Sequence, residues 1–251
     1  MIKREIVMFV VVLFCACIGA EIRAAIIDLG SAESFAVLGG SAVTNTGSSV
    51  VWGDLGVSPA AGITGFLPGI VNGTTYINDA YSIQAQADAS SAYTVLAGLS
   101  ATQDLTGQNL GGLTLTPGVY SFSSSAALTG ILTLDGQGLE NPQFIFQIGS
   151  TLTTASASSV VLINGANAYD IYFQVGSSAT LGTGTEFVGT IISDQSNTLT
   201  TGANVLGRVI ALNAAVTLDS NEITICEIPE PATVSLLCLG GLALIRRRRT
   251  A

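Results

Sequence analysis

Two blocks of this chain return at fixed intervals, and a chain that repeats itself in short units has to stack them. Phe144-Ile145-Phe146-Gln147-Ile148-Gly149-Ser150 recurs 27 residues later as Ile171-Tyr172-Phe173-Gln174-Val175-Gly176-Ser177. Phe187-Val188-Gly189-Thr190-Ile191-Ile192 is echoed 18 residues later by Val205-Leu206-Gly207-Arg208-Val209-Ile210. From Gly111 onward, apolar and Thr-rich stretches alternate with corners that contain Gly or Asn. No single unit can bury its own apolar side, so neighbours must stack into one continuous core. Composition points the same way. The chain is 48% hydrophobic but only 6% aromatic and 10% charged, against about 25% charged in an ordinary soluble domain. Gly, Ala, Ser and Thr fill the difference, and small or β-branched residues suit stacked strands with tight corners. The expected fold is a mainly β solenoid.

One stretch breaks the pattern. Between residues 78 and 98 there is no Pro, and no Gly before Gly98. Tyr81, Ala85, Ala89, Ala92, Leu96 and Leu99 recur at steps of three and four, which is a helical stripe. Asn78 is the expected cap, Asp79 suits the positive end of the helix dipole, and Gly98 can end the helix. Small Ala side chains would let it lie close along one solenoid face.

A second column of residues marks a surface. Thr154-Ala155-Ser156-Ala157 follows Leu152-Thr153, Thr183-Gly184-Thr185-Glu186 follows Leu181-Gly182, and Thr201-Gly202-Ala203-Asn204 follows Leu199-Thr200. Thr46-Gly47-Ser48-Ser49 has the same form. Stacked strands lie about 4.8 Å apart, so such segments would form a ladder, with Leu152, Leu181 and Leu199 turned inward. The expected face therefore carries Thr46, Ser48, Thr154, Ser156, Thr183, Thr185, Thr201 and Asn204, with Glu186 as a blemish. Trp52, the only Trp, sits beside a Gly corner and is expected to pack.

The two ends read as addresses. Residues 1–25 have a basic start at Lys3 and Arg4 and an apolar stretch from Ile6 to Ala20, as in a secretory signal. Residues 227–251 hold Pro229-Glu230-Pro231, an apolar run from Ala232 to Ile245, and then Arg246, Arg247, Arg248 and Arg249. A spanning helix needs roughly 20 residues, so this run suits transient membrane contact, with the Arg cluster on the cytoplasmic side. The order of its parts resembles the PEP-CTERM sorting signal of Gram-negative bacteria. That resemblance implies processing by an exosortase and export to the cell surface or an exopolysaccharide matrix. Residues 26–226 remain as the mature domain.

Several function classes are disfavoured. From Ile26 to Ile228 only Arg208 is basic, against 14 Asp and Glu, a net charge of −13. Such a surface repels phosphate backbones, which argues against nucleic acid. There is no His, the commonest general base and metal ligand. Of four Cys, only Cys226 lies outside the two ends, so no internal disulfide is expected. The acids Asp135, Glu140, Asp170, Glu186, Asp194 and Asp219 form no clustered pair of the kind a glycosidase uses. No Asp-x-Asp-x-Asp-Gly calcium loop is present, and Asp54 reads as a turn residue. We expect no enzyme activity, no cofactor and no metal.

The segments Phe35-Ala36-Val37-Leu38-Gly39, Thr44-Asn45-Thr46-Gly47 and Gly53-Asp54-Leu55-Gly56-Val57-Ser58-Pro59 appear in order with Gly112-Leu113-Thr114-Leu115-Thr116-Pro117-Gly118-Val119-Tyr120, Phe144-Ile145-Phe146-Gln147 and the Thr-Gly segments above. Together they resemble the ice-binding-protein-like family of bacteria, diatoms and fungi, over about Ile27 to Ile225. The resemblance implies a discontinuous right-handed β-solenoid of triangular section with a long helix along one face, and adsorption of a flat Thr-rich face to ice or ordered water. It also implies a Thr, Ala or Gly, any residue, Thr or Asn pattern on that face, which Thr201-Gly202-Ala203-Asn204 fits in full. The alternative expectation is a structural or adhesive protein of the cell surface or exopolysaccharide matrix.

Overall fold

A computed structural model describes residues 27–225. Every strand pairing in it is parallel, and the repeats set the register. Phe144 stands beside Ile171 and Phe146 beside Phe173; Phe187 stands beside Val205 and Ile192 beside Ile210. Both sequence repeats are thus successive rungs of one stack.

Each coil lays strands on three faces. One face runs in stack order through Gln103–Asp104, Gly118–Phe122, Phe144–Ile148, Ile171–Val175, the second halves of Glu186–Ser193 and Asn204–Ala211, then Phe35–Gly39, Asp54–Val57 and Thr75–Ile77. The second runs through Ala126–Leu128, Leu152–Thr154, Ala179–Leu181, Asn197–Leu199, Val216–Asp219, Ala42–Thr46 and Gly62–Thr64. The third holds Thr114–Leu115, Ile131–Asp135, Ser159–Ile163, the first halves of the two long strands, Glu222–Thr224, Val50–Trp52 and Ile70–Asn72. The stack is discontinuous in sequence. The first coil docks on the last, with Val37 beside Val209 and Thr44 beside Thr217.

The long strands turn the corner between faces at Gly189 and Gly207, with φ of +119° and +147°. A Cβ on Gly207 would run into the Gly189 carbonyl oxygen, and one on Gly189 would lie 2.7 Å from Ile171 Cγ2. Only Gly lets the two corners nest.

Inward side chains fill the core with an aromatic stack. Tyr120, Phe146, Phe173 and Phe187 follow one another with ring centroids 5.4, 4.4 and 4.7 Å apart. The outward side of the same face is covered too. Helix α1, Ala80–Gly98, buries Ala85, Ala89, Ala92 and Leu96 in one cluster with Leu38, Ile145, Tyr172, Ile192 and Ile210. A parallel sheet covered on both sides reads as a near-continuous apolar run, as Phe144–Ile148 and Ile171–Val175 do.

The helix cap lies one residue beyond the expected one. Asp79 Oδ1 accepts from Ser82 N at 2.8 Å, and Asp79 N donates to Ser82 Oγ at 3.0 Å, a reciprocal box that satisfies two orphan donors. Asn78 instead takes a left-handed turn at φ +46°. At the other end Gln147 Nε2 donates to the Leu96 and Leu99 carbonyls, each at 2.7 Å, so a sheet residue closes the helix.

Arg208 is buried beneath the N-terminal segment, where its Nε donates to the Glu33 carbonyl at 2.9 Å. Asp170, nearby in the chain to buried Tyr172, is 8% exposed, its Oδ2 has no hydrogen-bond partner, and burial pushes its pKa up to about 6. A free Asp titrates near 3.9. Both states are protonated well below pH ~4, so no penalty exists there; as pH rises towards about 6 the unfolded chain ionises first and the fold loses stability. Asp170→Asn should remove a fall of about 2 kcal/mol between pH 4 and 7. Urea midpoints at both pH values test this. Equal slopes in the two proteins would show that Asp170 ionises freely.

Candidate functional site

The second face carries a ladder that pleating alone dictates. In the three-residue strands Ala126–Leu128, Leu152–Thr154, Ala179–Leu181 and Asn197–Leu199 the outer two side chains point into the core and the middle one points out. The register continues that outward position through Ala127, Thr153, Thr180, Thr198, Thr217, Thr44 and Thr64, each beside the next across the sheet. Six successive rungs therefore present Thr, at about 4.8 Å per rung. Their flanking residues, such as Leu152, Leu181, Leu199, Val216 and Leu218, are buried and hold the strands against the core.

Two further columns widen the face, each two residues, or about 6.7 Å, from the ladder. One holds Ser125, Thr151, Ser178, Ser196, Ala215, Ala42 and Gly62. Thr151 Oγ1 donates to Ser125 Oγ at 2.9 Å, and the Ser178 and Ser196 hydroxyls lie 3.0 Å apart. The other holds Thr129, Ala155, Gly182, Thr200, Asp219, Thr46 and Phe66. Asp219 is the one charge in the three columns. Its Oδ2 accepts from Thr201 Oγ1 at 2.5 Å and its Oδ1 from Ser220 Oγ at 3.3 Å, so neighbouring hydroxyls occupy both oxygens.

The residues expected from sequence divide into four places. Thr46 lies on this face, at its edge. Ser48, Ser156, Thr183 and Thr201 are exposed on the corner turns beside it. Asn204 lies around the corner on the third face, where its Nδ2 donates to Glu186 Oε1 at 3.0 Å. Thr154 and Thr185 contradict the expectation outright: they are 3% and 0% exposed. Their hydroxyls lie 2.8 Å apart inside the corner, and Thr154 Oγ1 accepts from Gly182 N at 2.8 Å. The reason is parity. Thr154 stands two residues from inward Leu152 on the same strand and so points inward with it. The outward Thr stands directly next to the buried apolar residue, in the run of Thr153, Thr180-Leu181, Thr198-Leu199 and Thr217-Leu218. Sequence reasoning missed this ladder, although the Thr-Leu pairs were its signal.

The other two faces differ in chemistry. The first is covered by α1. The third presents Trp52, Ile70, Ile131, Val161 and Leu206, all at least 40% exposed, together with exposed Glu186 and Glu222. Trp52 thus points out rather than packing, and its Nε1 donates to Glu222 Oε1 at 3.1 Å. Asp54 opens the strand Asp54–Val57, and its Oδ1 accepts from Thr74 N of the neighbouring coil at 2.8 Å. Among the described residues no group of three or more Cys, Asp or Glu is placed to hold a metal. No described helix is long and apolar enough to cross a membrane; the leader and the Ala232–Ile245 run, where membrane contact was expected, lie outside the described residues.

A family described as ice-binding-like matches residues 37–224, and the PEP-CTERM protein-sorting motif matches residues 227–249. An ice-binding protein of Nostoc sp. (strain HG1) is 56% identical over 225 residues, covering 89% of this chain and 83% of that protein. The crystal structure of an ice-binding protein from an Antarctic biological consortium superposes with a TM-score of 0.79 at 48% identity, over 80% of this chain and 92% of the other. That of the ascomycete Antarctomyces psychrotrophicus gives 0.78 at 43% identity, over 80% and 98%.

Proposed function

The chain belongs to the ice-binding-like family, and from that premise we propose that it adsorbs to ice through the threonine face. The observation that carries this is the six-rung ladder from Thr153 to Thr64. A Thr side chain offers a methyl, around which water orders, and a hydroxyl, which anchors that water by hydrogen bonds. One such contact is weak. A regular array on a rigid sheet holds a water layer whose order an ice surface can continue, and ordered water bridges cost little when the groups that hold them are already fixed. The face lacks long charged side chains, whose own hydration shells would disrupt that layer. Nothing in this mechanism requires a reactive centre, so the reading is of a binding protein and not an enzyme. Ice-affinity partition tests it: the protein should concentrate in the growing ice, and its exclusion into the remaining liquid would overturn the reading.

The corner geometry also reverses one expectation. Glu186 belongs to the third face, so Glu186→Thr should leave ice adsorption within about twofold of the parent. A clear gain in thermal hysteresis would return the binding site to the corner motif.

We further read residues 1–25 as a leader, 26–226 as the mature domain and 227–251 as a sorting tail cut by an exosortase. The protein would then work outside a Gram-negative cell, at its surface or released into the matrix. The match to the sorting motif supports this.

A further inference from the structure

The third face is built unlike the ice-facing one. Glu186, Asn204 and Glu222 stand on consecutive rungs, and one hydrogen-bonded line joins them. Asn204 Nδ2 donates to Glu186 Oε1, Asn204 Oδ1 accepts from Glu222 N at 2.8 Å, and Glu222 Oε1 accepts from Trp52 Nε1. Trp52, on the next rung, is 46% exposed. Each carboxylate thus has one oxygen fixed within the face, while both side chains stay exposed to solvent. The only basic residue of the described chain, Arg208, is buried under the N-terminal segment, so nothing within the face neutralises the two acids. They stand two rungs apart, about 9.6 Å.

We propose that this face binds an amino-sugar polysaccharide, an extended β-1,4-linked chain bearing protonated amines, with Trp52 under one sugar ring and Glu222 and Glu186 pairing with its ammonium groups. Charge complementarity selects the ligand. Two uncompensated carboxylates repel an anionic glycan and attract a cationic one. The aromatic residue supplies a flat apolar surface for the C–H side of a sugar ring, with cation–π attraction for an ammonium beside it. In an extended β-1,4 chain alternate sugars face the same way, so like groups recur on one side every second residue, a repeat close to two rungs of this sheet. The site shares no residue with the threonine ladder and does not rest on the ice-binding reading.

Because Trp52 is the only Trp, its fluorescence reports directly on the site. Titration with a glucosamine hexamer at mildly acidic pH should change the emission saturably; cellohexaose, with the same backbone and no amines, should bind about tenfold more weakly, and alginate not at all. Glu186→Gln with Glu222→Gln should weaken hexamer binding about tenfold, the modest effect expected of two exposed ion pairs. Glu33→Gln with Glu140→Gln, which removes the same charge elsewhere, should leave it within twofold. Retention on chitosan beads should fall for Trp52→Ala and stay unchanged for Thr198→Tyr. Equal binding of cellohexaose, equal weakening by the two double variants, or unaltered Trp emission with the hexamer would each overturn the proposal.

Discussion

Thr198→Tyr should raise the protein concentration needed to inhibit ice recrystallisation by about tenfold or more, equivalent to at least ~1.4 kcal/mol of adsorption energy. Thr198 is a middle rung, with Thr180 on one side and Thr217 on the other. A phenol ring there stands above the plane of its neighbours and lifts several rungs from the crystal at once. The side chain faces solvent, so the core is untouched: flanking Asn197 and Leu199 stay buried. Circular dichroism and the unfolding midpoint should match the parent, which separates a lost contact from a lost fold. A folded variant with unchanged activity would remove the ladder from the mechanism.

Phe173→Ala should cost about 3–5 kcal/mol of stability. Phe173 is fully buried and stacks on Phe146 at 4.4 Å with an interplanar angle of 6°, while Phe187 lies 4.7 Å away on its other side. Its loss opens a void between two rings fixed to adjacent rungs, and a solenoid cannot close that void without shifting its register. Chemical denaturation measures the effect. Phe173→Leu, which keeps most of the volume, should lose clearly less, and a loss below about 1 kcal/mol for Phe173→Ala would mean that the core collapses around the gap.

The stacking was legible in the chain because each unit repeats both its apolar pattern and its corner chemistry. Phe144 pairing with Ile171, and Phe187 with Val205, follow from offsets visible without coordinates. Helix α1 was legible from its Ala stripe, and its cap was misplaced by one residue because Asn78 and Asp79 are both good capping residues; Ser82, three residues on, marks Asp79. The face was harder. Thr appears on both sides of these strands: outward it meets solvent, and inward, as at Thr154 and Thr185, it satisfies backbone groups at a buried corner. Composition cannot tell these roles apart, whereas parity from the nearest buried Leu can. Trp52 was misjudged for a related reason. A Gly neighbour signals a corner and does not say to which side the adjacent strand residue points.

The two open faces have opposite characters, and that contrast gives the account its sharpest test. Thr180→Tyr and Val161→Tyr place the same ring on the threonine face and on the third face, both at outward strand positions. Ice-affinity partition of the pair, run beside the parent, should leave Thr180→Tyr in the liquid and carry Val161→Tyr into the ice. Exclusion of Val161→Tyr with normal uptake of Thr180→Tyr would place the ice contact on the other side of the solenoid and contradict the account.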